Sequence, residues 1–345
     1  MKYNYSNIQL YKNPVEWDKN SGKELLQYAV GSLLYMPATN TKIAEEIITK
    51  KRPHLHSMVL DLEDSVGDEL VKKAEECTYG IIDRLYNALE TGELDIKDLP
   101  LIFIRIRTQG TMLRLANKLG DKIKVITGFN IPKFDKTNCV GFIEEFKKVL
   151  EISPCQLYIM PIIESKNAIF RQLRMDNLLT INDNLKLISD YVLNIRVGIA
   201  DFCSSYGIRR DVESTVYDIN VVADCLADIV NVFGRNYVVS SGVWEYFGKE
   251  YGQAWDNGLK RELRLDKLNG FIGKTCIHPS QLPVVQESLI QRKQDYIDAL
   301  SILGVNNNLI GVLNGGGKMN EIKTHSNWAR KIISLANIYG VREDM

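Results

Sequence analysis

Short apolar runs alternate with amphipathic stretches along most of the chain. The runs fall at Ser32–Met36, Ser57–Leu62, Leu101–Ile106, Gly128–Pro132, Gln156–Ile163, Ile195–Ala200, Tyr237–Val243 and Phe271–Ile277. Each is continuous in apolar character, as expected of a strand buried on both faces. Between them, apolar residues recur at helical spacing. The pattern predicts helices over Thr41–Lys51, Asp68–Glu90, Asn138–Glu151, Ser165–Leu173, Val216–Phe233, Tyr251–Leu265 and Ser280–Leu303. Eight buried strands interleaved with helices predict an α/β fold of the closed (β/α)8 TIM-barrel type. An open doubly wound sheet is the rival. It usually has fewer strands and often a glycine-rich first turn, and no GxGxxG follows the first run here.

The stretch 304–318, GVNNNLIGVLNGGGK, breaks the pattern with Asn and Gly, and a last helix is expected over Asn320–Tyr339. The expected organisation is a barrel domain over 1–303, with 1–30 as its lead-in, and a C-terminal linker and helix over 304–345. That extension would be a lid, a subunit-contact arm or a plain packing helix.

Composition narrows the class. Hydrophobic residues make up 45% of the 345 and charged residues 25%, as in ordinary soluble domains. Lys+Arg and Asp+Glu both total 43, which argues against a polyanion as the main partner and so against nucleic acid. Six scattered cysteines without a CxxC predict reduced thiols in a cytoplasmic protein. No apolar stretch reaches the roughly 18 residues of a membrane span.

Candidate chemistry is sought at the C-terminal ends of the strands, which form the active-site mouth of such a barrel. The second strand ends in Asp61-Leu-Glu-Asp64, so alternation turns Asp61 and Glu63 to one face. The third places Arg105 and Arg107 on one face, and buried arginine suits a carboxylate or phosphate. An internal ion pair with Asp61 or Glu63 is the competing explanation. The fifth strand ends in Glu164 and the sixth in Asp201. Neighbouring strands lie roughly 4.7–4.9 Å apart, so both carboxylates can reach one ion. Two oxygen ligands with water and substrate completing the shell is a usual Mg2+ arrangement, and Mn2+ accepts the same donors. A βα loop that simply begins with an acidic helix cap is the alternative for each residue. Lys133 and Lys274 open a second chemistry, Schiff-base formation with a carbonyl. His278 reads as a residue of the strand-to-helix corner.

Taken in order, these segments resemble the citrate lyase β-subunit / HpcH–HpaI aldolase superfamily. The strings are Gly31-Ser-Leu-Leu-Tyr-Met-Pro37, Asp61-Leu-Glu-Asp-Ser65, Ile104-Arg-Ile-Arg107, Ile131-Pro-Lys133, Ile162-Ile-Glu-Ser165, Gly198-Ile-Ala-Asp201 and Gly273-Lys-Thr-Cys-Ile-His-Pro279. Departures are Gly31, where the family commonly has Arg, and Arg107, where it often has Asn. Ser241-Gly-Val-Trp-Glu-Tyr-Phe247 and Met319-Asn-Glu-Ile-Lys-Thr-His-Ser-Asn-Trp328 are similar to the divergent branch called C–C bond lyase of the TIM-barrel fold, associated with tellurium-resistance clusters.

The resemblance implies a metal-dependent carbon–carbon lyase or aldolase acting on a 2-oxo acid or an acyl-CoA-like carboxylate. Glu164 and Asp201 would hold Mg2+ or Mn2+ and stabilise an enolate. Arg105, Asp61 and Glu63 would be catalytic, with substrate contacts from Arg105, Arg107, Ser32, Lys133 and Pro161. A homo-oligomer is expected. A catalytically silent barrel serving a biosynthetic complex, or a Schiff-base aldolase, would be the alternatives.

Overall fold

The computed structural model describes residues 1–3, 5, 8–304, 312–315 and 318–343; for residues 68, 312–315, 318–320, 322 and 323 it describes the backbone alone. Most of the Asn/Gly stretch read at 304–318 therefore lies outside the described residues. The chain divides into two compact units, Asp18–Val285 and a second made of Met1–Trp17 with Gln286–Met345.

The first unit is the predicted barrel. Its strands are β1 (Ser32–Pro37), β2 (Ser57–Asp61), β3 (Leu101–Arg105), β4 (Gly128–Ile131), β5 (Tyr158–Ile163), β6 (Ile195–Val197), β7 (Val239–Ser240) and β8 (Lys274–Cys276). All pair in parallel with their neighbours in chain order, and β8 returns to pair with β1. A parallel bridge between Ser241 and Lys274 joins β7 to β8 and completes the ring. β2, β3, β4 and β5 are buried at every position, which is why their sequences run apolar without alternation. Gly31 (φ +39°) and Gly273 (φ +77°) lie where β1 and β8 begin. A Cβ on Gly273 would lie 2.4 Å from the Gly31 carbonyl oxygen, so the close backbone approach requires glycine there.

Helices differ from expectation in four places. Thr111–Leu119 follows β3 and was not predicted, although Met112, Leu115, Ala116 and Leu119 are all buried at helical spacing. The helix expected to end at Leu173 is two, Lys166–Ile169 and Arg171–Lys186. The sixth apolar run was read as strand to Ala200. The strand stops at Val197, and a short helix, Ile199–Ser205, starts beyond Gly198. The helix expected over Ser280–Leu303 is broken into Gln281–Ser288 and Lys293–Gly304, because Gln291–Arg292 pairs in parallel with Val341–Arg342.

The second unit has its own core. Ala299 and Ile302 of helix Lys293–Gly304 pack with Ala329 and Ile332 of helix Ile322–Tyr339. A three-stranded sheet orders Leu10–Lys12, Val341–Arg342 and Gln291–Arg292, and the Tyr3 ring packs at a tilt against Tyr339 and Trp17. Among the described residues, no helix is long and apolar enough to cross a membrane.

Candidate active site

Strand register builds one side of the mouth. Asp61 and Arg105 are Cα partners at the ends of β2 and β3. Arg105 Nε donates to Asp61 Oδ1 at 2.6 Å and Nη2 donates to Oδ2 at 2.7 Å, a bidentate fork. Nη1 lies 3.1 Å from both Glu63 Oε2 and Asp64 Oδ2. Asp61 also accepts the backbone N–H groups of Glu63 and Ser65. Lys133 Nζ donates to Glu63 and, at 3.4 Å, to Asp64. Burial would raise the Asp61 carboxyl, but the bonds from Arg105, Ser65 and Glu63 outweigh it and hold it below the usual carboxylate range. Burial, with Asp64 alongside, pushes Glu63 up. Every nitrogen of Arg105 is thus taken by a carboxylate. A ligand anion reaches this guanidinium only by displacing one, and Asp64, whose side chain is 53% exposed, is the partner able to leave.

The other side is built by β5 and the turn after β6. Glu164 directly follows β5, and Asp201 lies in the first turn of helix Ile199–Ser205. Asp201 therefore sits one turn beyond the strand end on which the sequence had placed it. Gly198 makes room between them, since a Cβ there would lie 2.2 Å from Glu164 Oε2. Lys133 adopts a left-handed conformation (φ +47°), which turns its N–H onto Glu164 Oε1 at 2.9 Å while its side chain meets Glu63. Such a φ is costly for a residue with a Cβ and is held here by bonds at both ends. Burial, then the Asp201 charge, raises Glu164 to about 8. Burial likewise raises Asp201, with Asp64 adding to it.

These two carboxylates fit a divalent cation. Among the described residues, no group of three or more His, Cys, Asp and Glu forms a closed metal site. An open pair of hard oxygen donors facing each other is a different arrangement, and it suits Mg2+, which keeps positions for water and substrate. The nearby cations are engaged elsewhere, Lys133 with Glu63 and Arg105 with Asp61. Burial is the main cause of the upward shift of Glu164, with the Asp201 charge second, so its ionised form is disfavoured.

Asp61, Asp64, Arg105, Glu164 and Asp201 all line one cavity of about 450 Å3, together with Tyr35, Ile162 and Thr275. Glu63 and Lys133 stand beside the cavity without lining it, and four further candidates lie elsewhere. Ser32 is fully buried at the start of β1, the opposite end of the strand from the mouth. Pro161 alternates with Ile162 and Glu164, so its ring faces away from the cavity. Arg107 Nη1 donates to the Val66 carbonyl at 3.4 Å, outside the cavity lining. Lys274 is fully buried behind the wall, 2.8 Å from both Glu262 and Asp266 of helix Ala254–Leu268. Burial opposes its charge, but those two acids outweigh it and raise its pKa. Glu63 and Asp64 likewise outweigh burial and raise Lys133. A Schiff-base lysine needs the reverse shift, so neither residue suits that chemistry. His278 bonds Ser280 Oγ at 2.8 Å within its corner and stacks on Phe247. Sequence reading missed Tyr35, Asn130, Arg196 and Thr275. Arg196 carries a visible signal, a charge in the middle of an apolar strand.

Fold and mouth together define a TIM-barrel protein with an acid-rich site. The chain belongs to the family described as C–C bond lyase of the TIM-barrel fold, whose model matches residues 24–341. No curated protein matches the sequence. Among solved structures, the chain is similar to a citrate lyase from Burkholderia xenovorans LB400, with a TM-score of 0.64 at 13% identity, covering 91% of this chain and 94% of that one. It is also similar to CitE from Mycobacterium tuberculosis in complex with magnesium, acetoacetate and coenzyme A, with a TM-score of 0.56, 18% identity, and 90% and 99% coverage. The same protein with magnesium and pyruvate gives 0.50, 18%, and 76% and 91%. At these identities the likeness establishes the shared fold.

Proposed function

We propose that this protein is a Mg2+-dependent carbon–carbon lyase or aldolase acting on a 2-oxo acid or a related acyl carboxylate. The observation that carries the reading is the facing pair Glu164 and Asp201. Glu164 is buried and Asp201 half-buried, and both are raised in pKa, at the mouth of a barrel whose family is one of C–C bond lyases. The Mg2+ complexes of CitE, the latter sharing this fold, support the choice of ion.

Glu164 and Asp201 would hold the cation, which supplies Lewis-acid stabilisation of negative charge developing on a substrate oxygen. The chain's own groups do the rest. Lys133 fixes Glu164 through its N–H and Glu63 through its ammonium, so both carboxylates are held by one strained residue. Asp61 locks Arg105 in one orientation. When Asp64 moves aside, Arg105 Nη1 is freed toward the cavity and orients the substrate carboxylate. Glu63 holds Arg105 and Lys133 in place from beside the cavity, its Oε2 taken by Arg105 Nη1 and the Asp64 N–H.

The test is proton exchange at the methyl group of pyruvate in D2O, followed by NMR. Deuterium incorporation that needs Mg2+ and disappears in Glu164→Ala is the expected result. Incorporation no faster than the buffer blank, or unchanged in Glu164→Ala after chelator treatment, would refute the proposal.

A further inference from the structure

Below the carboxylates, the barrel interior holds a cation that the mouth does not explain. Arg196 is the central residue of β6, with 1% of its surface exposed. Its register partner on β5 is Ile162, two residues before Glu164, so Arg196 originates one layer beneath the candidate metal ligands. That layer spacing is roughly 7 Å along a strand. From there Arg196 crosses to β8, where Nη2 donates to Thr275 Oγ1 at 2.8 Å. Nε and Nη1 are buried with no acceptor in good hydrogen-bond geometry, the Tyr35 hydroxyl being the group that acts on the guanidinium. Asn130 Oδ1, in the same interior, is also unmatched, while Asn130 Nδ2 donates to the Tyr35 hydroxyl at 2.6 Å.

We infer that the floor of the cavity is a second anion subsite, formed by Thr275 and Tyr35 with Arg196 behind them, and that the substrate carries a second carboxylate that reaches it. This deepens the function proposed above and rests on it for the group held at the mouth.

Three observations carry the inference. A buried guanidinium without an acidic partner is strongly unfavourable, and each unmatched buried donor calls for a ligand or solvent group. Arginine only donates, so Thr275 Oγ1 must be the acceptor of that bond, and the hydroxyl proton is left to point elsewhere. Thr275 and Tyr35 both line the cavity and Arg196 does not, so its charge reaches a ligand through these two side chains. Arg105 offers a contrast. It is saturated by Asp61, Glu63 and Asp64, in a mouth where acids outnumber bases. Arg196 instead meets a hydroxyl, that of Thr275. Tyr35 links the two, with the Arg105 guanidinium 5.3 Å from its ring centre and Arg196 acting on its hydroxyl.

Calorimetry on the full chain in saturating Mg2+ decides the matter, using pyruvate and oxaloacetate, which differ by one carboxylate. Wild-type protein should bind oxaloacetate at least about ten-fold tighter, the effect of one charge-assisted hydrogen bond. In Arg196→Met the ratio should fall to about one, with partial recovery in Arg196→Lys. Thr275→Val, which keeps the volume and the buried charge, should reduce the ratio several-fold and covers the case in which Arg196→Met does not fold. A wild-type ratio near one with both acids bound overturns the subsite and leaves the mouth reading standing. A ratio that survives both Arg196→Met and Thr275→Val overturns it equally. Failure of either acid to bind overturns the mouth reading, and the subsite with it.

Discussion

Two groups of buried charge lie in the same barrel, one on each side of its wall, and they differ in how completely they are neutralised. Behind β8, Lys274 and Arg210 meet Glu262, Asp266 and Glu245. Tyr217 donates to Asp266 at 2.7 Å, and the Val216 N–H donates to Glu262 at 2.8 Å. Acids and bases there alternate, and Arg210 also lies over the Trp244 ring. The cluster ties β8 to helix Ala254–Leu268. At the mouth, Arg105 and Lys133 are shared among Asp61, Glu63 and Asp64, which leaves Glu164 and Asp201 facing each other. Buried charge that is balanced belongs to the architecture; buried charge that is incomplete marks where something else must bind.

The contrast can be broken from either side. The largest effect should come from Lys274→Met, which leaves Glu262 to Arg210 alone and Asp266 with only the Tyr217 hydroxyl. We expect a loss of about 3–5 kcal/mol in urea unfolding, unaffected by Mg2+. A loss under about 1 kcal/mol would mean the cluster is not structural.

At the mouth, Gly198→Ala should act on the ion rather than the fold. Its Cβ would intrude on Glu164, and Mg2+ affinity should drop by about ten- to a hundred-fold, the size of effect seen when ligand supports are altered. Unchanged affinity in a titration would show that Glu164 is not a ligand.

The pH response separates the regions further. The Glu164 carboxyl is raised from the ordinary 4.5 to about 8, so between these values the folded state binds more protons than the unfolded state. Its contribution must then reduce stability as pH rises through that window, in metal-free protein. Added Mg2+ needs the ionised form, so its stabilising effect should grow over the same range. Thermal unfolding at pH 5 to 8.5, with and without Mg2+, checks both slopes; a Mg2+ effect that shrinks with rising pH would contradict the assignment.

The smallest expected effect concerns Lys133. Lys133→Gly and Lys133→Ala both lose the ion pair to Glu63, but glycine accepts φ +47° without strain. Glycine should be the more stable by about 1 kcal/mol. Equal stabilities would show that the left-handed conformation is not imposed in solution.

Most of the architecture was legible because six of the eight strands, β2 to β7, are buried at every position, which writes them as apolar runs. The register that joins Asp61 to Arg105 follows directly from those runs. What failed was local. At Ile195–Ala200 an apolar run continues across Gly198, so hydrophobicity alone could not show that the strand ends there and a helix begins. At Ser280–Leu303 the helical spacing persists through Gln291–Arg292, and only a distant segment, Val341–Arg342, interrupts it. Ser32 and Pro161 were chosen for lying in strings of the right kind, yet strand position and side-chain parity turn them from the cavity. Arg196 was visible as an anomaly in β6, but its reach to Thr275 depends on a fold closed upon itself.

The central claim is that Glu164 and Asp201 form one site for a divalent cation. Calorimetric titration of metal-stripped protein with Mg2+ tests it most directly, beside Glu164→Gln and Asp201→Asn with native circular dichroism spectra. One ion per chain, lost in both variants, is the predicted result. No binding by the wild type, or binding that persists in both variants, would contradict it.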